Sequence, residues 1–149
     1  MQTVLMLNLS RAPNNMTADL SLYGHFVDTV TSDVSKNLDL YVKRLHELEN
    51  LGINPVLFNT AVTGLAGEAG EFAELNKKLN WHGKPFTEEL HTHLAKELGD
   101  IIFYWMMACH ALKLDPNNVI KQNVDKLQAR YPEGKFSVER AENRSEGDI

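Results

Sequence analysis

The stretch GLAGEAGEFAE, residues 64–74, places acidic side chains at regular intervals within a helical hydrophobic pattern. Apolar residues in and around it recur every three or four positions, which is the spacing of one helix face. Glu68 falls on that apolar face, and Glu71 and Glu74 follow in three-residue steps. The pattern predicts a long helix with carboxylates beside or inside its core-facing side. The apolar residues of this face are Ala61, Leu65, Phe72, Leu75 and Leu79.

A second stretch, KELGD at residues 96–100, repeats this arrangement further along the chain. Glu97 interrupts an apolar stripe, and Asp100 lies three residues later. Residues three apart are neighbours on a helix surface, so each of the two helices offers a pair of carboxylates. The stripe around the second pair consists of Leu90, Leu94, Ile101, Tyr104 and Ala108.

Two such pairs on facing helices predict a metal site. Carboxylates in a partly dry site repel one another and lose solvation, and a divalent cation removes that cost. Oxygen ligands favour Mg²⁺, with Mn²⁺ as an alternative, over zinc. A solvated helix edge would also explain the acids. A di-iron bundle would need two Glu-x-x-His pairs, and only Glu88 with His91 starts a helix in this way. The predicted metal ligands are Glu68, Glu71, Glu97 and Asp100.

Capping residues divide the chain into an all-α bundle of four to five helices. Asn54-Pro55 and Asp115-Pro116 combine an N-cap with proline at the first helical position, and Thr87 is another N-cap. Gly52 ends the helix before the first of these starts. We expect one domain over residues 1–149. Its parts are an N-terminal arm (1–19), helices at about 20–51 (with a possible break near 31–32), 55–79, 87–114 and 116–130, and a polar tail (135–149).

The run from Ile101 to Cys109 is apolar around the whole circumference of its helix. Such a helix must be covered on every side. Four helices from so short a chain would hardly cover it, so we expect a homo-oligomer to complete the bundle. The alternative is a monomer in which the N-terminal helices wrap around this segment.

Composition and charge exclude several classes of protein. The chain has 149 residues, 43% of them hydrophobic, and a net charge of −5, which argues against binding of a nucleic-acid polymer. Its single cysteine, Cys109, fits a reducing compartment. Residues 1–13 lack the basic start of a signal peptide, and the apolar run at 101–112 is too short to span a membrane. We therefore expect a cytoplasmic protein without a membrane partner.

Several side chains could serve a phosphorylated ligand, because Mg²⁺ shares its coordination with phosphate oxygens. Basic residues follow the first acidic pair and also occupy one face of the last long helix, although either set could be ordinary surface charge. An aromatic residue in the loop after the first acidic helix could stack on a base or simply cap the core. The candidates for phosphate binding are Lys78, Asn123, Lys126 and Arg130, and those for base binding are Trp81 and His82.

At these residues the sequence resembles the MazG-like, all-α NTP pyrophosphatase superfamily. The family pattern is Glu-x-x-Glu, a spacer, and Glu-x-x-Asp, which residues 68–71 and 97–100 match in order and spacing. The stretch NVDKLQARYP, residues 123–132, is similar to the family's later segment with Asn, Lys and Arg-Tyr-Pro. The resemblance covers about residues 55–135 and includes one unit of the pattern, as in the short members of the family.

The resemblance implies cleavage of a canonical or modified (deoxy)nucleoside triphosphate between its α and β phosphates. The products would be the nucleoside monophosphate and pyrophosphate, and the protein would be a homodimer or homotetramer. The four predicted ligands would bind Mg²⁺, the residues at 123, 126 and 130 would contact phosphate, and Trp81 or His82 would recognise the base. Within this mechanism, Glu71 or Glu74 is the candidate general base.

Two other functions remain open from the sequence. One is a non-catalytic helical module, oligomerising or regulatory, that binds nucleotide or metal without turnover. The other is the related phosphoribosyl-ATP pyrophosphohydrolase activity. Assays of pyrophosphate release from different substrates distinguish the three.

Overall fold

The computed structural model describes residues 20–143, and these form helices without any strand. This confirms the all-α fold class. The helices are α1 (Ser21–Val30), α2 (Asp33–Lys36), α3 (Leu38–Asn50), α4 (Pro55–Trp81), α5 (Glu88–Ala111), α6 (Pro116–Arg130) and α7 (Val138–Glu142).

Residue contacts divide the chain into two units, with the boundary in the sequence between Tyr41 and Val42. The first contains α1, α2 and the first turn of α3. Ser32 starts α2, with its hydroxyl accepting a hydrogen bond from the Ser35 amide at 3.3 Å. The expected break near residues 31–32 is therefore present, and the single-domain organisation stays a prediction.

In the second unit, the caps expected from the sequence begin the long helices. The side chain of Asn54 accepts a hydrogen bond from the Leu57 amide at 3.0 Å and starts α4. Thr87 and Asp115 make equivalent bonds at the starts of α5 and α6. Gly52, with a φ of 92°, ends α3, because its neighbour Ile53 donates back to the Leu48 carbonyl.

Helices α4 and α5 form an antiparallel hairpin, which is the main helix pairing among the described residues. At its open end, the Asn54 amide donates to the Ala111 carbonyl at 2.8 Å. Further in, a Cβ built on Gly64 would lie 2.2 Å from the ring of Tyr104. The helices can approach this closely because residue 64 has no side chain. Gly64 is one turn before Glu68, and Tyr104 is one turn after Asp100, so this contact sets the spacing of the acids.

The buried core of the second unit is small. Its most buried apolar side chains are spread along α4 and α5, while parts of α5 remain open: Leu98 is 49% exposed, Ile102 59% and Phe103 58%. No helix among residues 20–143 is long and apolar enough to cross a membrane. The buried apolar residues are Ala61, Leu75, Leu90, Cys109 and Ala111.

Several local features differ from the sequence-based boundaries. Helix α5 ends at Ala111 rather than near residue 114, and a second break, at Asn37, separates α2 from α3. Helix α4 continues two residues beyond Leu79, so Trp81 is its last residue rather than part of the loop; the chain leaves the helix at Gly83, which has a φ of 67°. Within the expected polar tail, α7 forms one short helix, capped by the Ser137 side chain. The expected arm at 1–19 and the residues after 143 lie outside the described part of the chain.

Candidate metal centre

Three carboxylates from α4 and α5 converge in the middle of the hairpin. One oxygen from each of Glu68, Glu97 and Asp100 lies within 4.8 Å of the other two. The antiparallel pairing explains this convergence, because it brings the middle of α4 opposite the middle of α5. We call these three residues the acid cluster.

Glu97 is the most buried member of the acid cluster, with 5% of its surface exposed. Its Oε1 lies 2.8 Å from Nε2 of His93, one turn earlier on α5. Its other oxygen, Oε2, is buried and has no hydrogen-bond partner among the described residues. A buried carboxylate oxygen is costly to leave unpaired, and a bound cation or a proton shared with the Glu68 carboxyl would each remove that cost.

The carboxyl group of Glu68 interacts electrostatically with the other carboxylates. Partial burial raises the pKa of the Glu68 carboxyl above its ordinary value, and neighbouring negative charges raise it further. These neighbours, in order of decreasing effect, are Glu71, Asp100 and Glu97. Glu71 therefore lies within electrostatic reach of the acid cluster, although its oxygens are not among those that converge.

Glu74 has a different environment from the other acids of α4. Its carboxylate pairs with the ammonium of Lys77, and Nζ of Lys78 lies 3.6 Å from it. The hydrogen bond from Lys77 is the main cause that lowers the pKa of Glu74 below its ordinary value. Glu74 is thus already neutralised by lysines of its own helix.

A cavity of about 290 Å³ opens beside these acids. Two glycines of α4 form part of its wall, and a Cβ at either would meet nothing within 4 Å. Acidic and basic groups lie in the rest of the wall, whereas the three members of the acid cluster are not among its lining residues. The lining residues are Gly67, Gly70, Glu71, Glu74, Leu75, Lys78 and His93.

The other predicted ligand-binding residues occupy two further places. Asn123, Lys126 and Arg130 lie on α6, and within the described chain they are not part of the cavity wall. Trp81 ends α4 with 75% of its surface exposed, and His82 follows as the C-cap. Both lie about one turn beyond Lys78, which does line the cavity.

His93 is not among the site residues predicted from the sequence. Its signal is the four-residue spacing to Glu97, which places both side chains on one face of α5. On α5, only the acidic pair had been predicted to belong to the site.

The acid cluster fits a hard divalent cation. All three of its donors are carboxylate oxygens, the ligand type that Mg²⁺ and Mn²⁺ prefer. The unpaired Oε2 of Glu97 and the mutual repulsion that raises the pKa of Glu68 would both be relieved by a cation.

The raised pKa of Glu68 predicts how the stability of the metal-free protein depends on pH. A carboxyl whose pKa is higher in the folded state contributes stability that is fully present below its unfolded pKa, about 4.3. This contribution is lost as the pH rises through the folded value. Without metal, Glu68 should therefore destabilise the protein increasingly as the pH rises from about 4.3.

Thermal unfolding in the presence of a chelator, compared between the wild type and Glu68→Gln across this pH range, measures the effect. The difference in melting temperature should increase with pH in favour of Glu68→Gln, because the variant has no charge at this position. With excess Mg²⁺, the wild type should have the higher melting temperature. A difference in melting temperature that stays constant across this pH range would contradict the prediction.

Among the comparisons with known proteins, the family profile identifies one family. The family profile of the MazG nucleotide pyrophosphohydrolase domain matches residues 58–135, about half of the chain and the whole of α5. The Gene 37 protein of Mycobacterium phage L5 is 38% identical over 72 residues, which are 48% of this chain and 63% of that protein. No solved structure matches the chain. The match spans both acidic pairs and the hairpin that brings them together, and the chain belongs to the family of MazG nucleotide pyrophosphohydrolase domains.

Proposed function

We propose that the protein is a Mg²⁺-dependent nucleoside triphosphate pyrophosphohydrolase, which cleaves a (d)NTP into the (d)NMP and pyrophosphate. The observation that supports this most strongly is the convergence of Glu68, Glu97 and Asp100, with a buried and unpaired carboxylate oxygen among them. Family membership supports the reaction class, and the cavity lined by Glu71, Lys78 and His93 offers space for phosphate groups.

We assign the metal to the acid cluster, with Glu71 as a fourth ligand or as a neighbour of the metal. A bound Mg²⁺ would supply positive charge to the phosphate oxygens. The three converging carboxylates would hold it, and Mn²⁺ would be accepted by the same oxygen donors.

Of the two candidate bases, we propose Glu71. Its side chain lines the cavity, where it can accept a proton from the water that attacks the α phosphorus. Glu74 lines the same cavity, but its lysine pairs lower its pKa and make it the weaker proton acceptor.

The basic side chains are assigned to the phosphates. Lys78 reaches the cavity wall and would offset charge on the departing pyrophosphate. Contact of Asn123, Lys126 and Arg130 with phosphate, like stacking of Trp81 or His82 on the base, rests on the family resemblance. The large exposed ring of Trp81 is suited to such stacking.

We further propose that α5 packs against a second copy of the chain in a homodimer or homotetramer. Ile102 and Phe103 are more than half exposed in a segment that is apolar on every side. Burying them would remove apolar surface from water. Light scattering on the purified protein measures the mass, and a monomer at micromolar concentration would contradict this proposal.

Pyrophosphate release from a panel of canonical and modified (d)NTPs, with and without Mg²⁺, tests the function. We expect turnover of at least one nucleotide only when metal is present, and its loss in folded Glu68→Gln and Asp100→Asn proteins. Full turnover by these variants would refute the assignment. Phosphoribosyl-ATP as the preferred substrate would support the related activity, and nucleotide binding without any turnover would support the regulatory module.

A further inference from the structure

The two oxygens of Glu97 differ in their surroundings, and His93 causes the difference. Nε2 of His93 lies 2.8 Å from Oε1, whereas Oε2 is buried and has no hydrogen-bond partner in the described chain. At this ion-pair distance, the imidazole of His93 engages Oε1. Oε2 is therefore the oxygen left for a cation.

The geometry of this contact restrains Glu97 as well. His93 precedes it by one turn of α5, so the two side chains are neighbours on a rigid helix. The Glu97 side chain is 7% exposed, while that of His93 is 51% exposed. The imidazole also lines the cavity wall together with Glu71 and Lys78.

We propose that His93 is a positioning residue, which holds Oε1 of Glu97 so that Oε2 alone is presented to a divalent cation shared with Glu68 and Asp100. This inference rests on the metal site of the proposed function. Hydrogen bonds to ligating carboxylates fix their orientation and commonly change metal affinity.

The same contact between His93 and Glu97 favours a small cation over a large one. Mg²⁺ and Mn²⁺ accept a carboxylate through one oxygen in a six-coordinate shell, whereas Ca²⁺ often takes both oxygens and up to eight ligands. With Oε1 engaged by His93, Glu97 is limited to one oxygen. His93 therefore contributes to discrimination against Ca²⁺.

Calorimetric titration of the metal-free protein with Mn²⁺ and with Ca²⁺ tests this without any assay of turnover. His93→Leu removes the donor, and we expect Mn²⁺ to bind about 10–100-fold more weakly. Ca²⁺ affinity should fall less, because Oε1 becomes available to the larger ion. The preference for Mn²⁺ over Ca²⁺, expressed as the ratio of the two affinities, should therefore decrease.

His93→Gln provides the rescue variant, since its amide N–H can reach a carboxylate four residues away on the same helix. It should restore most of the Mn²⁺ affinity and of the preference over Ca²⁺. His91→Leu is a matched control on the same helix, because His91 packs on the ring of Phe86, with ring centroids 5.9 Å apart. It should bind both ions like the wild type.

Three outcomes would overturn the inference. Unchanged Mn²⁺ affinity in His93→Leu, while Glu97→Gln loses it, would remove the role of His93 and leave the metal site intact. Equal loss in His93→Leu and His93→Gln would show that a polar contact to Oε1 from this position is not what matters. Unchanged affinity in Glu97→Gln as well would remove the metal site itself, and with it the proposed function.

Discussion

Replacing Glu97 with glutamine is expected to lower kcat/KM about 10²–10³-fold, the range for removing one preorganised electrostatic group. Glutamine has nearly the same shape, so α5 should pack as before. Glutamine lacks the negative charge that a cation needs. In the wild-type protein, the buried oxygen Oε2 of Glu97 has no hydrogen-bond partner among the described residues. The loss should therefore be chemical rather than structural.

The same substitution should raise the melting temperature of the metal-free protein. Glu97 is one of the charges that raise the pKa of Glu68, so its neutralisation relieves repulsion inside the acid cluster. A variant that is more stable and less active is typical of sites where function requires an unfavourable arrangement of charges. Kinetic assays with Mg²⁺ and thermal unfolding in chelator measure the two effects.

Glu88→Gln is the matched control for this prediction. Glu88 lies in the first turn of the same helix, nine residues before Glu97 and outside the acid cluster. Its replacement should leave kcat/KM within about twofold of the wild type, since exposed charges contribute little. If both variants lost activity equally, a general effect of charge on α5 would be the explanation. Retention of wild-type activity by Glu97→Gln would contradict the assignment of Glu97 as a metal ligand.

Gly64→Ala is expected to destabilise the protein by about 1–3 kcal/mol, the usual cost of overpacking. An alanine in the middle of a helix is normally better than glycine by about 0.5–1 kcal/mol. Here the added Cβ would lie 2.2 Å from the ring of Tyr104, so α4 and α5 must separate or the ring must move. Urea unfolding measures the change.

The separation should also weaken metal binding, because this contact is one turn from Glu68 on α4 and one turn from Asp100 on α5. Gly67→Ala is the control for stability on the same helix. Its Cβ would meet nothing within 4 Å, so we expect it to stabilise the fold by about 0.5–1 kcal/mol.

A double-mutant cycle with Tyr104→Ala identifies the cause. If the clash is responsible, Gly64→Ala should cost little in a protein that already lacks the ring, and the two changes should not be additive. Additive effects would show that the destabilisation arises elsewhere. Equal stabilities of Gly64→Ala and Gly67→Ala would contradict the prediction at its first step.

Much of the helical framework was predictable, because the signals that set it are local. Asn54, Thr87 and Asp115 cap α4, α5 and α6 as the sequence indicated, since a cap depends on residues within one turn. The predicted end of α4 was less accurate. Its last turn includes Trp81, and the chain leaves the helix only where Gly83 adopts a positive φ. The helix α7 was not predicted, because five residues offer too little periodicity to recognise.

The sequence placed the acids on their helices but could not rank them. Glu68, Glu71 and Glu74 follow one another at the same spacing, yet they meet different neighbours. Glu68 joins the acid cluster, Glu71 acts on it from the cavity wall, and Glu74 pairs with Lys77 and Lys78. The lysine pairs were within reach of sequence reasoning, because they lie three and four residues from Glu74.

By itself, the sequence determined where each acid lies along and around its own helix, since 3.6 residues per turn fixes both. It did not determine how deeply α4 and α5 approach each other, because that depends on side chains from two distant segments, Gly64 and Tyr104. The tertiary structure decided which three carboxylates meet and which oxygen of Glu97 remains unpaired. Burial and hydrogen bonding are properties of the packed pair of helices, and neither helix has them alone.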